Sequence, residues 1–286
     1  MSEGTGTPSG RLPDFIIIGT QKGGTTSLWH YLRAHPGVFM PELKEPNFFI
    51  TEGNWKLGIN WYRSLFSGAT DAQVCGEASP GYTMFPTFAG APGRIAEHVP
   101  KARLIYILRE PVARMVSNWG QSRADFQEWR PVQKSLISDM RYSTLSLYAT
   151  QLEQYLEHFD REQLLIIRSE DLSTDPESTM RQVCAHVGID STLLGSFDER
   201  HNTSESRMLP KRRTILARDG LVRLKQPRLA NWLTTRSPDK FTHSAGVGSG
   251  PTLDPEFKQK MTEYFQIEMV RLREIVGPEL DLWGYA

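Results

Sequence analysis

Chemistry is best served by Gly19-Thr20-Gln21-Lys22-Gly23-Gly24-Thr25-Thr26-Ser27. Glycine lets backbone N–H groups approach an anion closely, and such amides form a cradle for phosphate or sulfate. Gln21, Lys22, Gly23, Gly24, Thr25 and Thr26 are the residues that would touch that anion, with Lys22 supplying a full charge. A second anion site is written by Arg109 and, further along the same segment, Ser117. A guanidinium grips phosphate oxygens with parallel charge-assisted bonds. Two carboxylates, Glu45 and Glu77, are candidate general bases. Glu45 stands in Pro41-Glu42-Leu43-Lys44-Glu45-Pro46-Asn47-Phe48-Phe49, where the prolines oppose a helix. Phe48 and Phe49 are expected to bury it in part and raise its pKa. Glu77 closes Val74-Cys75-Gly76-Glu77 and reads equally well as the ion-pair partner of an Arg or Lys. Glu45 is preferred because a loop reaches an acceptor more easily; His201 and His243 are next if neither carboxylate serves.

These residues must be positioned by an α/β scaffold. Phe15-Ile16-Ile17-Ile18 is an apolar, largely β-branched run that enters the glycine-rich turn, and Thr25 to Arg33 follows as a helix. Its unpaired N-terminal amides and dipole favour an anion. Val74–Glu77, Arg103–Leu108 and Leu164–Arg168 are further strands, the last two nearly continuous in apolar residues and so buried on both faces. In a parallel sheet the loops after Phe15–Ile18, Val74–Glu77 and Arg103–Leu108 lie on one edge, where such folds bind ligands. Pro111 opens a helix whose apolar stripe is Val112, Met115, Val116 and Trp119, leaving Arg114, Ser117 and Asn118 off it. Helices are also expected over Trp55–Phe66, Phe88–Val99 and Leu145–Phe159, and from Asp175-Pro176 and Asp254-Pro255. Arg123–Tyr142 is expected to be an irregular polar lid or acceptor loop.

The chain has 286 residues, 39% hydrophobic and 23% charged, with 33 basic and 33 acidic side chains. That balance argues against a general nucleic-acid binder. Cys75 and Cys184 are the only cysteines and are expected as buried free thiols, not as a disulfide or zinc framework. No apolar run approaches the roughly 18 residues of a membrane span. Residues 1–13 read as a disordered tail on a cytoplasmic protein, and 14–286 as a single domain. Between Arg207 and Lys240, ten Lys or Arg stand against Asp219 and Asp239. The densest part, Lys211, Arg212 and Arg213, could take a second phosphate of the ligand or an anionic acceptor.

The loop is not the usual triphosphatase loop, which needs Lys and then Ser or Thr directly after the last glycine. Strand, then G-x-x-K-x-G-T-[ST], resembles the 5′-phosphosulfate loop of sulfotransferases that use 3′-phosphoadenosine 5′-phosphosulfate (PAPS). R-x-P-x-x-R-x-x-S over Arg109–Ser117 resembles their 3′-phosphate motif. K-E-x-x-F-F at Lys44–Phe49 resembles the glutamate segment of the heparan-sulfate type, and G-E-A-S-P-G-Y at Gly76–Tyr82 their E-K-[TS]-P-x-Y, with Ala78 replacing the lysine. Ser169–Ile189 is a further local match. The resemblance implies a single P-loop-like domain with a central parallel sheet flanked by helices. It implies PAPS as cofactor, no obligatory metal, and transfer of a sulfuryl group to a small-molecule, glycan or lipid acceptor. Relatives carry a basic loop before the last helix where this chain has Gly246 and Gly248; backbone amides, or Lys211, Arg212 and Arg213, are the proposed replacements. Two other readings stand beside it. A P-loop kinase would turn over ATP with Mg²⁺, and a non-catalytic nucleotide-binding module would bind without transfer.

Overall fold

The computed structural model describes residues 10–197, 208–210, 212–224, 226, 228–229, 242–244 and 251–285. At its centre is a five-stranded parallel sheet: β1 (Phe15–Gly19), β2 (Val38–Phe39), β3 (Val74–Ala78), β4 (Arg103–Leu108) and β5 (Leu164–Arg168), in the order β2-β3-β1-β4-β5. Side chains alternate across a strand, and here the alternation feeds two cores. Ile16, Ile18, Leu104, Tyr106 and Leu108 join one; Phe15, Ile17, Ile105 and Ile107 join the other. That is why β1 and β4 are continuous apolar runs. The short edge strand β2 has no such signature and was not legible in the sequence.

The helices are α1 (Thr25–Ala34), α2 (Gly58–Ser64), α3 (Ala91–His98), α4 (Pro111–Ala124), α5 (Val132–Ser138), α6 (Arg141–Thr144), α7 (Tyr148–Leu156), α8 (Ser169–Thr174), α9 (Pro176–Val187), α10 (Arg212–Arg223) and α11 (Pro255–Val276). A two-stranded antiparallel ribbon pairs β6 (Met208–Pro210) with β7 (Thr242–Ser244). Caps expected from the sequence are present. Asp175 accepts from Ser178 N at 3.0 Å, Gly188 ends α9 in the left-handed region, and Asp254 accepts from the first amides of α11. The helix expected over Trp55–Phe66 is interrupted at Gly58, φ 77°, which separates a short 3-10 turn from α2. Both cysteines are free and buried. Among the described residues no helix is long and apolar enough to cross a membrane, and no cluster could hold a metal ion.

Three expectations need correction. Residues 10–13 belong to the packed domain: Arg11 donates to Gln73 O at 2.9 Å, and Leu12 packs on the core. Polar composition masked these tertiary contacts. Residues 123–142 are not irregular. They contain α5 and begin α6, with Leu136 and Tyr142 buried and Arg130 bonded to Glu128 and Ser138. Their charges satisfy one another, so a polar segment folds down onto α4. Arg114 and Asn118, expected off the packed face, are buried, Arg114 completely. The 142–146 segment covers it and supplies acceptors: Ser146 Oγ at 2.6 Å and Tyr142 O.

Candidate active site

The exits of β1, β3 and β4 meet at one cleft of about 610 Å³. Gln21, Lys22, Gly24, Thr25, Thr26, Glu45, Arg109 and Ser117 all line it, so most of the sequence-derived site is brought together. Gly23 does not line it but packs beneath. A side chain there would meet Ile107 O at 2.7 Å and Thr20 at 2.8 Å. Gly24 sits at φ 100° as the N-cap of α1, and no side chain caps that helix end. The amide-rich start of α1 therefore faces the cleft with an unspent dipole.

Lys22 has φ 71°, a left-handed conformation that costs a non-glycine residue roughly 1–3 kcal/mol. Two contacts hold it. Arg109 Nη1 donates to Lys22 O at 3.2 Å, and Lys22 Nζ donates to Gln121 Oε1 at 3.2 Å. The Gln121 amide nitrogen in turn donates to both Asp125 oxygens, at 2.9 and 2.8 Å. Gln121 and Asp125 line the cleft and were missed by sequence reasoning, although Gln121 lies one turn beyond Ser117 on the same helix face. Lys44, Pro80 and Ser169 also line it.

At the start of α4 the second anion site rests on side chains and not on free amides. Glu110 caps that end, accepting from Val112 N and Ala113 N at 3.1 and 2.6 Å. This also removes Glu110 as an ion-pair partner for Arg109. Among the described residues no carboxylate pairs with Arg109, which is left to the cleft and the Lys22 carbonyl.

The two carboxylates part company. Glu45 lies in the cleft wall with its side chain 44% exposed, φ 58°, and pairs with Lys44. Phe48 and Phe49 do not cover it; both rings are in the core, Phe48 stacked on Tyr62 at 4.5 Å. Glu77 is 1% exposed and does not line the cleft. Its partners are not cations but three hydroxyls: Tyr62 at 3.0 Å, Tyr82 at 2.8 Å and Ser79 at 2.8 Å. Burial pushes its pKa up to about 7, against the pull of those three donors. Ser79 Oγ accepts from Asn47 N at 3.0 Å, and Tyr82 Oη from Phe49 N at 3.3 Å. Through Ser79 and Tyr82, Glu77 thus ties the 45–49 loop to the sheet, and it lies outside the cleft lining. The reason is the alternation of the strand: Glu77 shares the face of Cys75, which turns to the core that holds Tyr62 and Tyr82.

Lys211 and Gly246, Gly248 and His201 lie outside the described residues; Arg212 opens α10 and His243 lies in β7.

Residues 12–272 match the sulfotransferase-domain family model. The chain belongs to the sulfotransferase family. It is 34% identical over 194 residues to heparan sulfate glucosamine 3-O-sulfotransferase 3B1 of Mus musculus, covering 65% of this chain and 48% of that protein. It is 27% identical over 299 residues to the mouse bifunctional heparan sulfate N-deacetylase/N-sulfotransferase 4, covering 95% of this chain and 31% of that one. The sulfotransferase therefore spans about half the length of the first relative and less of the second. A crystal structure of a sulfotransferase from Alicyclobacillus acidocaldarius superposes with a TM-score of 0.71 at 23% identity, over 96% of this chain and 99% of that one. At that identity the likeness concerns the fold, and it agrees with a P-loop-like sulfotransferase sheet.

Proposed function

We propose that this sulfotransferase moves a sulfuryl group from PAPS to an acceptor hydroxyl or amine. The observation that carries the reading is one cleft holding two separate anion sites, the Lys22 loop and Arg109 with Ser117. A nucleoside triphosphate would leave the second without a role. The residues fit the donor: a glycine at φ 100°, an uncapped helix start, an ammonium and a guanidinium all face one space.

PAPS, when bound, supplies the sulfur that exchanges its bond to the 5′-phosphate oxygen for one to the acceptor. Thr25, Thr26 and the α1 amides hold the phosphosulfate end, and Arg109 with Ser117 the 3′-phosphate. Lys22 offsets charge on the oxygen left behind, an electrostatic contribution that is often the largest in group transfer. Glu45, on the open side of the cleft, takes the acceptor proton. Gln121 keeps the Lys22 ammonium turned into the cleft.

Titration calorimetry with 3′-phosphoadenosine 5′-phosphate and with 5′-AMP tests the reading. The first should bind about 10- to 150-fold more tightly, the worth of a charge-assisted contact, and Arg109→Ala should erase the preference. Equal affinities in the unaltered protein would remove the PAPS assignment.

A further inference from the structure

A second arm of about 340 Å³ opens from the donor cleft, sharing Gln21, Glu45 and Pro80 with it. Because Glu45 stands where the two spaces join, a hydroxyl presented from this arm would arrive beside the proposed base. The arm is therefore the place for the acceptor, and its walls describe the acceptor's chemistry. Its volume falls in the range of a small-molecule site.

One wall is apolar: Ile50, Met84, Phe88 and Pro80. Beyond the shared Gln21 and Glu45, the polar side chains are Asn47 and Glu52. The Glu52 carboxyl is held below its usual range by its own backbone amide and by the Thr51 hydroxyl, so it carries its charge at neutral pH. The guanidinium nearest in influence, Arg94, is committed to Phe49 O and Ala89 O, each at 2.8 Å, and is not among the described residues lining the arm. Lys22, Lys44 and Arg109 all line the donor cleft instead. A further carboxylate, Asp125, borders that cleft beyond Gln121. Positive charge is thus gathered where phosphates would sit; of the two carboxylates in the acceptor arm Glu45 is paired with Lys44, and Glu52 has no ion pair among the described residues.

Resting on the donor reading above, we infer that the acceptor is a small, partly apolar alcohol or phenol without negative charge, a cationic group being accommodated by Glu52. This departs from the polyanionic glycans in the names of the curated relatives. Like charges brought together across a binding surface select against the wrong partner.

The test uses the full chain with radiolabelled PAPS and three phenols that differ only in their tail: tyramine, 4-(2-hydroxyethyl)phenol and 4-hydroxyphenylacetate. Heparosan is the polyanionic competitor. Binding of 3′-phosphoadenosine 5′-phosphate is measured first by calorimetry, so that loss of the donor reading is seen separately from loss of this one. The amine and the alcohol should be preferred to the carboxylate, through KM and not kcat. Glu52→Lys should reverse the amine-to-carboxylate order by up to about tenfold, as expected for exposed charges, and high salt should flatten it. Calorimetric titration of tyramine and 4-hydroxyphenylacetate into the nucleotide-loaded protein should show the same order without turnover. Sulfation of heparosan in preference to the phenols would overturn the inference. So would an order that Glu52→Lys leaves unchanged, or nucleotide-loaded protein that neither binds nor sulfates any of the three.

Discussion

Replacing Glu77 by Gln isolates a buried proton. In the folded chain the carboxyl titrates at about 7 in place of 4.5. At about 1.4 kcal/mol for each pKa unit, ionising it there costs about 3 kcal/mol more than in the unfolded chain. The folded pKa is the higher one, so the native state holds the proton more tightly. The stabilisation is complete below about pH 4.5, drains away as pH rises to about 7, and is gone above it. Glutamine cannot ionise and shows none of this. It also brings two amide donors to a site already offered three hydroxyl donors. The variant should therefore be less stable than the parent near pH 5 by about 1–3 kcal/mol, the cost of mispaired buried polar groups. By about pH 8 that gap should have shrunk by about 2.5 kcal/mol, bringing the variant close to the parent or above it. Urea unfolding followed by tryptophan fluorescence at both pH values measures the gap directly. A gap that stays constant, or widens with pH, would refute a neutral Glu77 in the native fold.

Two further substitutions test roles in the cleft. Glu45→Gln keeps the side chain's shape and removes its basicity, so turnover should fall by about 10²–10⁴ while calorimetric affinity for 3′-phosphoadenosine 5′-phosphate holds; a variant with near-normal kcat means Glu45 is not the base. Lys22→Ala should cut kcat by about 10²–10³ and weaken binding of the desulfated nucleotide far less; equal losses in the two assays would make the lysine a binding residue only.

Much of this scaffold was written locally. Buried parallel strands betray themselves as continuous apolar runs, because both faces of β1 and β4 meet a core. Helix caps such as Asp175-Pro176 need only neighbouring residues. The cradle and Arg109 were legible because each depends on residues next to a strand exit. What escaped depends on distant partners. Nothing near Glu77 announces that Tyr62 and Tyr82 will enclose it, and nothing near Arg114 announces that residues 142–146 will cover it. The left-handed backbone at Lys22 and Glu45 is likewise imposed from elsewhere, by Arg109 on one and by the Glu45 N–H bond to Ala78 O at 3.1 Å on the other. The folding of 132–144 was hidden because Asp139 finds both Arg130 and Arg141, a pairing that composition does not announce.

The bond from Arg109 to the Lys22 carbonyl spans 87 residues of sequence and ties the exit of β4 to the exit of β1. Its partner atom is backbone, so any side chain at position 22 would still be braced by it, and the brace depends wholly on what stands at position 109. A guanidinium has five N–H donors in a fixed plane. One edge can brace the loop while the other stays turned to an anion. A lysine at 109 would carry the same charge with a single pivoting ammonium and could not keep both engagements in fixed geometry. Charge alone therefore does not specify this position. Its demand is for a planar fork with two working edges, and the substitution that looks most conservative on paper would separate the two exits that the fold has joined.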